Sequence, residues 1–432
     1  MKIAVVGTGY VGLVSAVCMA EKGHEVICVD IDEAKITTLK KGVSPIYEQD
    51  LEALMQSNLS RLTYTTDYPL AYMNAEIIFI AVGTPEKKDG SANLTYVYGV
   101  AKQISESVEN DCVVVVKSTV PIGTNDKIEK ILNDHKKPHV RLELASNPEF
   151  LAQGTAVRDT LQASRIVIGV ENEATEKVLC EVYKDYDAPI LVTDRRSAEM
   201  IKYASNAFLA LKISYINEIA NLCEIVEANV QDVAKGMGYD ERIGNQFLNA
   251  GIGYGGSCFP KDTKALHWLA NKNDVEIKTI KAAIEVNDLQ KLRLIKKARK
   301  YYDSFEGLTV AVLGLTFKPG TDDLREAPSL VNIPIMLDDG AKVKAWDPVG
   351  VENFKKLYPE IEYCCSIDET ITDADLCFIF TEWPEIKNYD IAKFGKLMKK
   401  VIVLDGRNCL SKGSNNLEQG VFEGIGVGSG QW

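Results

Sequence analysis

The sequence predicts an α/β chain: two doubly wound parallel sheets joined by a long central helix and a helical, dimer-forming region. Three observations carry this. Val/Ile-rich runs alternate with amphipathic stretches up to about residue 195, a 33-residue stretch from Ser197 contains neither Gly nor Pro, and a second alternating series follows residue 300. The expected domains are therefore 1–195, 196–300 and 301–432, in keeping with a length that suggests roughly two to three domains.

In the first part the strand-like runs are "KIAVVG" (2–7), "EVICVD" (25–30), "EIIFIAV" (76–82), "CVVVVKST" (112–119), "RLELAS" (141–146) and "RIVIGV" (165–170). Continuous apolar runs with helical segments between them are the mark of strands buried on both faces. The stretch from Ser197 carries apolar residues at 201, 204, 208, 211, 216, 219, 222 and 226, the spacing of a helix begun by a Ser or Asp cap. More helix is expected to about residue 300. In the third part "LTVAVLGLTFKPG" (308–320), "AKVKAWDP" (341–348), "ADLCFIFTEWP" (374–384) and "VIVLDGRN" (401–408) echo runs of the first. Duplication, or the general likeness of α/β sheets, explains the echo equally well, and either gives a second nucleotide-type domain. "GVFEGIGVGSGQW" reads as a short strand and a mobile tail.

Composition narrows the function. A formal net charge of -12 argues against a nucleic-acid footprint, which needs clustered cations. The longest apolar runs, such as "IIFIAV", are too short to span a membrane, and no signal-peptide pattern follows Met1, so the cytoplasm is the expected compartment. The ten cysteines contain no C-x-x-C pair, so no metal site is expected and the thiols are read as reduced.

"VVGTGYVG" places Gly7, Gly9 and Gly12 in G-x-G-x-x-G spacing between a strand and a helix, with Tyr10 and Val11 inside the turn. Asp30 closes the second strand, where a carboxylate binds a ribose 2′-OH and repels a 2′-phosphate, so NAD is favoured over NADP. The third part lacks this fingerprint and offers Lys318, Arg325 and Arg407 at strand ends, cations suited to a diphosphate.

"GIGYGGSCFPKD" (251–262) surrounds Cys258 with glycines and a helix start at Pro260. The helix dipole and Lys261 would favour the thiolate, and Gly253, Gly255 and Gly256 would clear the approach of a substrate. Alcohol oxidation needs no nucleophile. Aldehyde oxidation does, because a thiol adduct makes the carbon tetrahedral before a second hydride leaves. Lys202 and Asn206, at i and i+4, are candidate oxyanion donors, and Asp262 and Glu149 candidate bases through water.

"GTGYVG", "AVGTP", "KSTVP", "SNPEFLAQG", "IKYASNAFLA", "RIGNQFL", "GIGYGGSCFPKD", "FKPGTDDLRE" and "DGRN", in this order, resemble the UDP-glucose 6-dehydrogenase branch of the nucleotide-sugar dehydrogenase family, which also holds GDP-mannose and UDP-N-acetylhexosamine dehydrogenases. The resemblance implies oxidation of UDP-glucose at C6 to UDP-glucuronate with two NAD⁺, and two Rossmann-like domains. It implies Cys258 as nucleophile, Lys202 and Asn206 at the oxyanion, Asp262 on water or base, and Glu149 and Thr119 in hydrolysis. Asp30, Lys35, Thr84, Thr119, Lys261 and Arg325 would contact NAD. Glu149, Phe150, Leu151, Ala152, Gln153, Lys202, Asn206, Phe247, Asn249, Gly251, Gly253, Tyr254, Gly255, Lys318 and Arg407 would contact substrate, and Arg242 would reach across an interface in a homodimer or higher oligomer. Gln153 departs from relatives that carry a charge there. The rival readings are another sugar nucleotide as substrate (GDP-mannose or UDP-N-acetylmannosamine), an epimerase or reductase using Tyr98/Lys102 or Tyr389/Lys393, and a non-catalytic sensor.

Overall fold

The apolar runs of the first part form strands where their composition predicts them: β1 (Lys2–Val6), β2 (Glu25–Val29), β4 (Ile77–Ile80), β5 (Cys112–Val116), β6 (Leu142–Ser146) and β7 (Ile166–Gly169). The computed structural model describes residues 1–410 and 420–427, so the expected tail at 428–432 lies outside the described residues. Two further strands, β3 (Leu62–Thr65) and β8 (Ile190–Thr193), close the sheet, whose order is β3-β2-β1-β4-β5-β6-β7-β8. All neighbours pair in parallel except β6 and β7, which meet antiparallel at Ser146 and Gly169, a departure from the all-parallel expectation. Apolar side chains cover both faces: Leu13, Val17, Phe79 and Val115 lie in one cluster, Ile78, Ile80, Val114 and Ile128 in the other.

The second sheet comprises β9 (Thr309–Leu313), β10 (Lys342–Trp346), β11 (Glu362–Tyr363), β12 (Leu376–Ile379), β13 (Ile402–Asp405) and β14 (Val421–Glu423), in the order β11-β10-β9-β12-β13-β14. Its strands all pair in parallel. β3, β8 and β11, which composition missed, are edge strands. An edge strand has one ladder to satisfy and tolerates short, polar segments.

The helix predicted from Ser197 spans Arg195–Val226. Asp194 opens it, accepting hydrogen bonds from Ser197 N (2.8 Å) and Ser197 Oγ (2.6 Å), as a cap should. The chain divides into two compact units, Met1–Ser205 and Asn206–Trp432, and the division falls within this helix. Of the apolar positions in the predicted stripe, Ile216 is fully buried but Phe208, Leu222 and Val226 are exposed. The buried side carries small residues such as Ala198, Ala207, Ala210 and Ala220, together with Lys202, Asn206, Ser214 and Asn217. Polar groups buried along one helix face must be partnered. Helices Val230–Gly238, Phe259–Lys272, Lys278–Gln290 and Arg293–Ala298 follow. Among the described residues no helix is long and apolar enough to cross a membrane.

Candidate active site

In the first unit the three fingerprint glycines are needed for three different reasons. Gly7 has φ +97°, and a Cβ there would stand 2.8 Å from the carbonyl oxygen of Ala81. At Gly12 a Cβ would fall 1.8 Å from Gly7 O, so only glycine lets the helix Tyr10–Glu21 start this close to the strand. A Cβ at Gly9 would meet nothing within 4 Å, which leaves open space in front of the helix N-terminus. That is the room a pyrophosphate needs.

Asp30 lies beside this turn. Its Oδ2 accepts Thr8 N (2.8 Å), Thr8 Oγ1 (2.6 Å) and Lys35 Nζ (3.3 Å). Burial alone would raise its pKa, but the Thr8 hydrogen bonds, Asp32 N and Lys35 hold the carboxyl below the usual carboxylate range. Gly7, Gly9, Asp30, Lys35, Tyr68 and Tyr96 border a cleft of about 440 Å³. Thr84 Oγ1 donates to Thr119 O (2.9 Å), which ties the loop after β4 to the loop after β5. Tyr10 donates its hydroxyl to Tyr47 O, and Val11 is half-buried in the helix start.

The segment after β6 brings Glu149 to Lys202. Both are buried, with Lys202 Nζ 3.2 Å from Glu149 Oε1, while Glu149 Oε2 accepts Leu151 N (2.7 Å). Phe150 lies under the Arg165 guanidinium (3.9 Å to the ring centre) and near Lys202 Nζ (5.3 Å). Ala152 N donates to Asp159 Oδ2 (3.1 Å), and Gln153 is buried.

The second unit holds the cysteine. Helix Phe259–Lys272 places Pro260 at its second position, one later than the sequence suggests, and Cys258 is the N-cap itself. Cys258 Sγ lies 3.8 Å from Ser257 Oγ. Asp262, one turn into the helix and 1% exposed, is held by Lys261 Nζ at Oδ1 (2.5 Å) and by Asn206 Nδ2 at Oδ2 (2.6 Å). Lys261 thus spends its charge on Asp262.

The glycines before Cys258, expected to clear a path for substrate, admit close approach of the protein itself on the side where a Cβ would stand. A Cβ at Gly253 (φ +87°) would strike Asn287 Oδ1 at 2.7 Å, at Gly255 the Glu326 carbonyl oxygen at 2.5 Å, and at Gly256 the Phe317 ring at 2.8 Å. The loop is instead gripped by amides. Gly251 N donates to Asn217 Oδ1 (2.8 Å), Gln290 Nε2 to Gly251 O (2.7 Å), and Asn287 bonds both N and O of Tyr254. Arg407, expected to clamp a diphosphate, donates to three backbone carbonyls, Nε to Phe380 (2.8 Å), one terminal nitrogen to Gly253 (3.1 Å) and the other to Phe317 (3.0 Å), and its Nε also pairs with Glu382 Oε2 at 3.3 Å. It still borders, with Gln231, Lys235, Gln246 and Asn249, a cleft of about 800 Å³. Phe247 (φ +63°) packs edge-on against Phe259. Lys318 Nζ lies 5.6 Å from the centre of the Phe317 ring, Arg325 is bidentate on Asp323, and the exposed Arg242 is bidentate on Asp240.

Residues 1–187 match the UDP-glucose/GDP-mannose dehydrogenase family, NAD binding domain; residues 196–289 match its central domain and 311–412 its UDP binding domain. The chain belongs to this UDP-glucose/GDP-mannose dehydrogenase family. It is 50% identical over 412 residues to UDP-glucose 6-dehydrogenase YwqF of Bacillus subtilis (strain 168), covering 95% of this chain and 94% of that one. A UDP-glucose dehydrogenase from the hyperthermophilic archaeon Pyrobaculum islandicum superposes with a TM-score of 0.92 at 36% identity, covering 98% and 97%. A UDP-D-ManNAc dehydrogenase from Pyrococcus horikoshii superposes at 0.87 with 27% identity, covering 99% of each chain.

As in this family's NAD binding domain, the cofactor is NAD, and the residues present fit it: the open space at Gly9 admits a pyrophosphate and Asp30 presents a carboxylate at the end of β2. The sequence reading missed the residues that hold the NAD turn and the cysteine loop in shape. Thr8 fixes Asp30, and Asn217, Asn287 and Gln290 fix the cysteine loop. Asn287 and Gln290 sit at i and i+3 on one helix, the only trace they leave in sequence, and lone amides on a helix carry no signal without knowledge of what they face.

Proposed function

We propose that the chain oxidises UDP-glucose at C6 to UDP-glucuronate in two NAD-dependent steps, through a covalent adduct on Cys258. The observation that carries this reading is Cys258 at the N-cap of a helix whose Asp262, one turn on, is hydrogen-bonded to Asn206. NAD, when bound, supplies the hydride acceptor for both oxidations.

The first oxidation removes a hydride from C6, passes the proton of its hydroxyl to a water ordered by Asp262, and leaves an aldehyde. The Cys258 sulfur then bonds to the aldehyde carbon, and loss of the second hydride turns the thiohemiacetal into a thioester. Lys202 and Asn206 stabilise the oxygen that becomes negative in the adduct, and losing one such donor typically costs on the order of 10²–10³ in rate. Water, deprotonated through Glu149 or Asp262 with Thr119 assisting, forms the new C–O bond; the C–S bond breaks and the acid leaves. Asp30, Lys35, Thr84, Thr119, Lys261 and Arg325 serve NAD. Residues 149–153, the 247–255 loop, Lys318 and Arg407 serve the sugar nucleotide, Arg407 chiefly by bracing the loop. Domains 1–195, 196–300 and 301–432 divide these tasks.

Phe208, Tyr215 and Leu222 recur every seven residues on the long helix and are exposed in the single chain. They support a homo-oligomer in which Arg242 reaches a second copy. Light scattering tests this: the reading expects a dimer or multiple, and a monomer refutes it. The cytoplasm fits a nucleotide-sugar substrate.

Steady-state turnover with UDP-glucose, GDP-mannose and UDP-N-acetylmannosamine tests the substrate. UDP-glucose is expected to give the highest kcat/KM, and a preference for either of the others overturns the assignment. Cys258→Ser is expected to stop turnover after the first steps; a wild-type NADH yield from it refutes the thioester.

A further inference from the structure

Asp405, buried at the end of β13, gathers the turn that follows it: its carboxylate accepts Arg407 N (2.9 Å), Cys409 N (2.7 Å) and Leu410 N (3.0 Å). Between Arg407 and Cys409 the chain passes through Asn408 at φ +51°, a left-handed conformation that asparagine tolerates and glycine adopts freely. The Asn408 side chain then leaves the turn. Its Oδ1 accepts Ile425 N (2.7 Å), its Nδ2 donates to Ile425 O (2.8 Å), and the same nitrogen reaches Ala250 O at 3.4 Å. An amide that meets both backbone groups of one residue stands in for a strand partner and leaves neither group unpaired.

Ile425 is itself fixed. It is fully buried two residues after β14, whose Glu423 is also buried and pairs with Lys297 (3.3 Å) and Lys300 (3.0 Å). The next residue, Gly426 (φ +72°), donates its N–H to Glu224 Oε1 (2.9 Å), and its carbonyl accepts Val230 N (3.0 Å). A Cβ at Gly426 would stand 2.6 Å from Ala220 Cβ and from Val230 Cγ1, so the segment 423–427 is seated directly on both helices.

This segment joins the walls of one cleft. Val230 begins the helix whose Gln231 and Lys235 border the space of about 800 Å³, Arg407 and Asn408 border it from the turn, and Asn249 and Ala250 from the cysteine loop. The turn also bears on that loop directly, since Ile252 N donates to Gly406 O (3.0 Å). Asn408 is where the three parts meet: its own backbone belongs to the turn, and its amide holds the segment at Ile425 and the loop at Ala250.

We propose that Asn408 is a positioning residue for the sugar nucleotide: its amide clips the Arg407 turn to Ile425 and Ala250, and so fixes the walls of the cleft that Arg407 and the 247–255 loop border. The inference rests on the service to the sugar nucleotide proposed above for that loop and for Arg407.

The test is calorimetric binding of UDP and of NAD, with steady-state kinetics on UDP-glucose, for wild type, Asn408→Gly and Asn408→Asp. Asn408→Gly keeps the left-handed turn and removes only the amide, so it separates the clip from the backbone. It is expected to weaken UDP and to raise KM for UDP-glucose roughly tenfold, with kcat within about threefold and NAD affinity within about twofold of wild type, because buried backbone groups lose their partners at one site only. A residue that merely stabilises the fold would lower the thermal midpoint without this split. Asn408→Asp keeps the acceptor for Ile425 N and loses the donor for Ile425 O and Ala250 O. If Asn408→Gly fails to fold, Asn408→Asp decides, with UDP expected to weaken at least about threefold. UDP affinity that stays at the wild-type value, or UDP and NAD affinities that fall together, overturns the inference. A wild type that binds UDP and releases two NADH per UDP-glucose while the variants behave like it discards the role of Asn408 alone. A wild type that neither binds UDP nor makes UDP-glucuronate discards the underlying reading and this inference with it.

Discussion

The two sheets of this chain share a strand order, since β3-β2-β1-β4-β5-β6 has the same course as β11-β10-β9-β12-β13-β14. They also share the first turn. Gly7 N donates to Val29 O at 2.7 Å and Gly314 N to Trp346 O at 2.8 Å, and both glycines have positive φ, +97° and +88°. Each second strand is followed by an aspartate, Asp30 or Asp347. What differs is how those aspartates are used. Asp30 borders an open cleft. Asp347 is 4% exposed and accepts the backbone N–H groups of Leu315, Thr316, Val349 and Gly350 and the indole N–H of Trp383. Where the first turn has open space at Gly9, the second has Thr316, fully buried, with its carbonyl taken by Thr381. One backbone thus supports two outcomes: the first turn stays open for a dinucleotide, and the second is sealed by its own side chains.

The largest expected effect comes from closing the first turn. Gly12→Val places a side chain 1.8 Å from Gly7 O, so NAD binding, measured by calorimetry, should weaken at least 100-fold. Gly9→Thr copies the second sheet into the first without a clash, because nothing lies within 4 Å. It should leave the thermal midpoint within about 2 °C and weaken NAD roughly 10- to 100-fold, by occupying the space kept for pyrophosphate. A Gly9→Thr protein that binds NAD normally would show that the open turn is not the feature that separates the sheets.

The aspartates should separate next. Asp30→Ala is expected to weaken NAD about tenfold and to reduce the preference over NADP, with a loss of stability smaller than that of Asp347→Ala because it strands fewer buried donors. Asp347→Ala should leave NAD affinity unchanged but destabilise the fold by at least about 3 kcal/mol in urea denaturation, because it strands buried donors.

The smallest effect is a pH dependence of stability from Lys117. Its amine is held at about 8 in the fold against the ordinary 10.5 of a free lysine. Below pH 8 the buried charge carries its full penalty; between pH 8 and 10.5 the unfolded chain binds the extra proton, so stability rises with pH; above 10.5 the penalty is gone. Wild type should therefore gain on Lys117→Met in thermal midpoint over that window.

Sequence made the first sheet easy to read because buried parallel strands are written as unbroken Val/Ile runs, and the glycine spacing reports a backbone constraint directly. It made β3, β8 and β11 hard to read, since edge strands need no such run. Chemistry and spacing singled out Cys258, Lys202, Asn206 and Asp262 as candidates in the sequence. Their pairings carried no such signal: Lys202 meets Glu149 from 53 residues away and Asn206 meets Asp262 from 56. The glycines of the cysteine loop hide their neighbours for a related reason. A glycine announces that something approaches closely, but not whether it is a ligand or, as with Gly255 and Gly256, the chain itself.

The central claim, that an open NAD turn and a cysteine at a helix N-cap together carry out two oxidations on one carbon, is tested most directly by NADH yield on limiting UDP-glucose. The account predicts two NADH and one UDP-glucuronate per UDP-glucose consumed. One NADH with a free aldehyde released would contradict it.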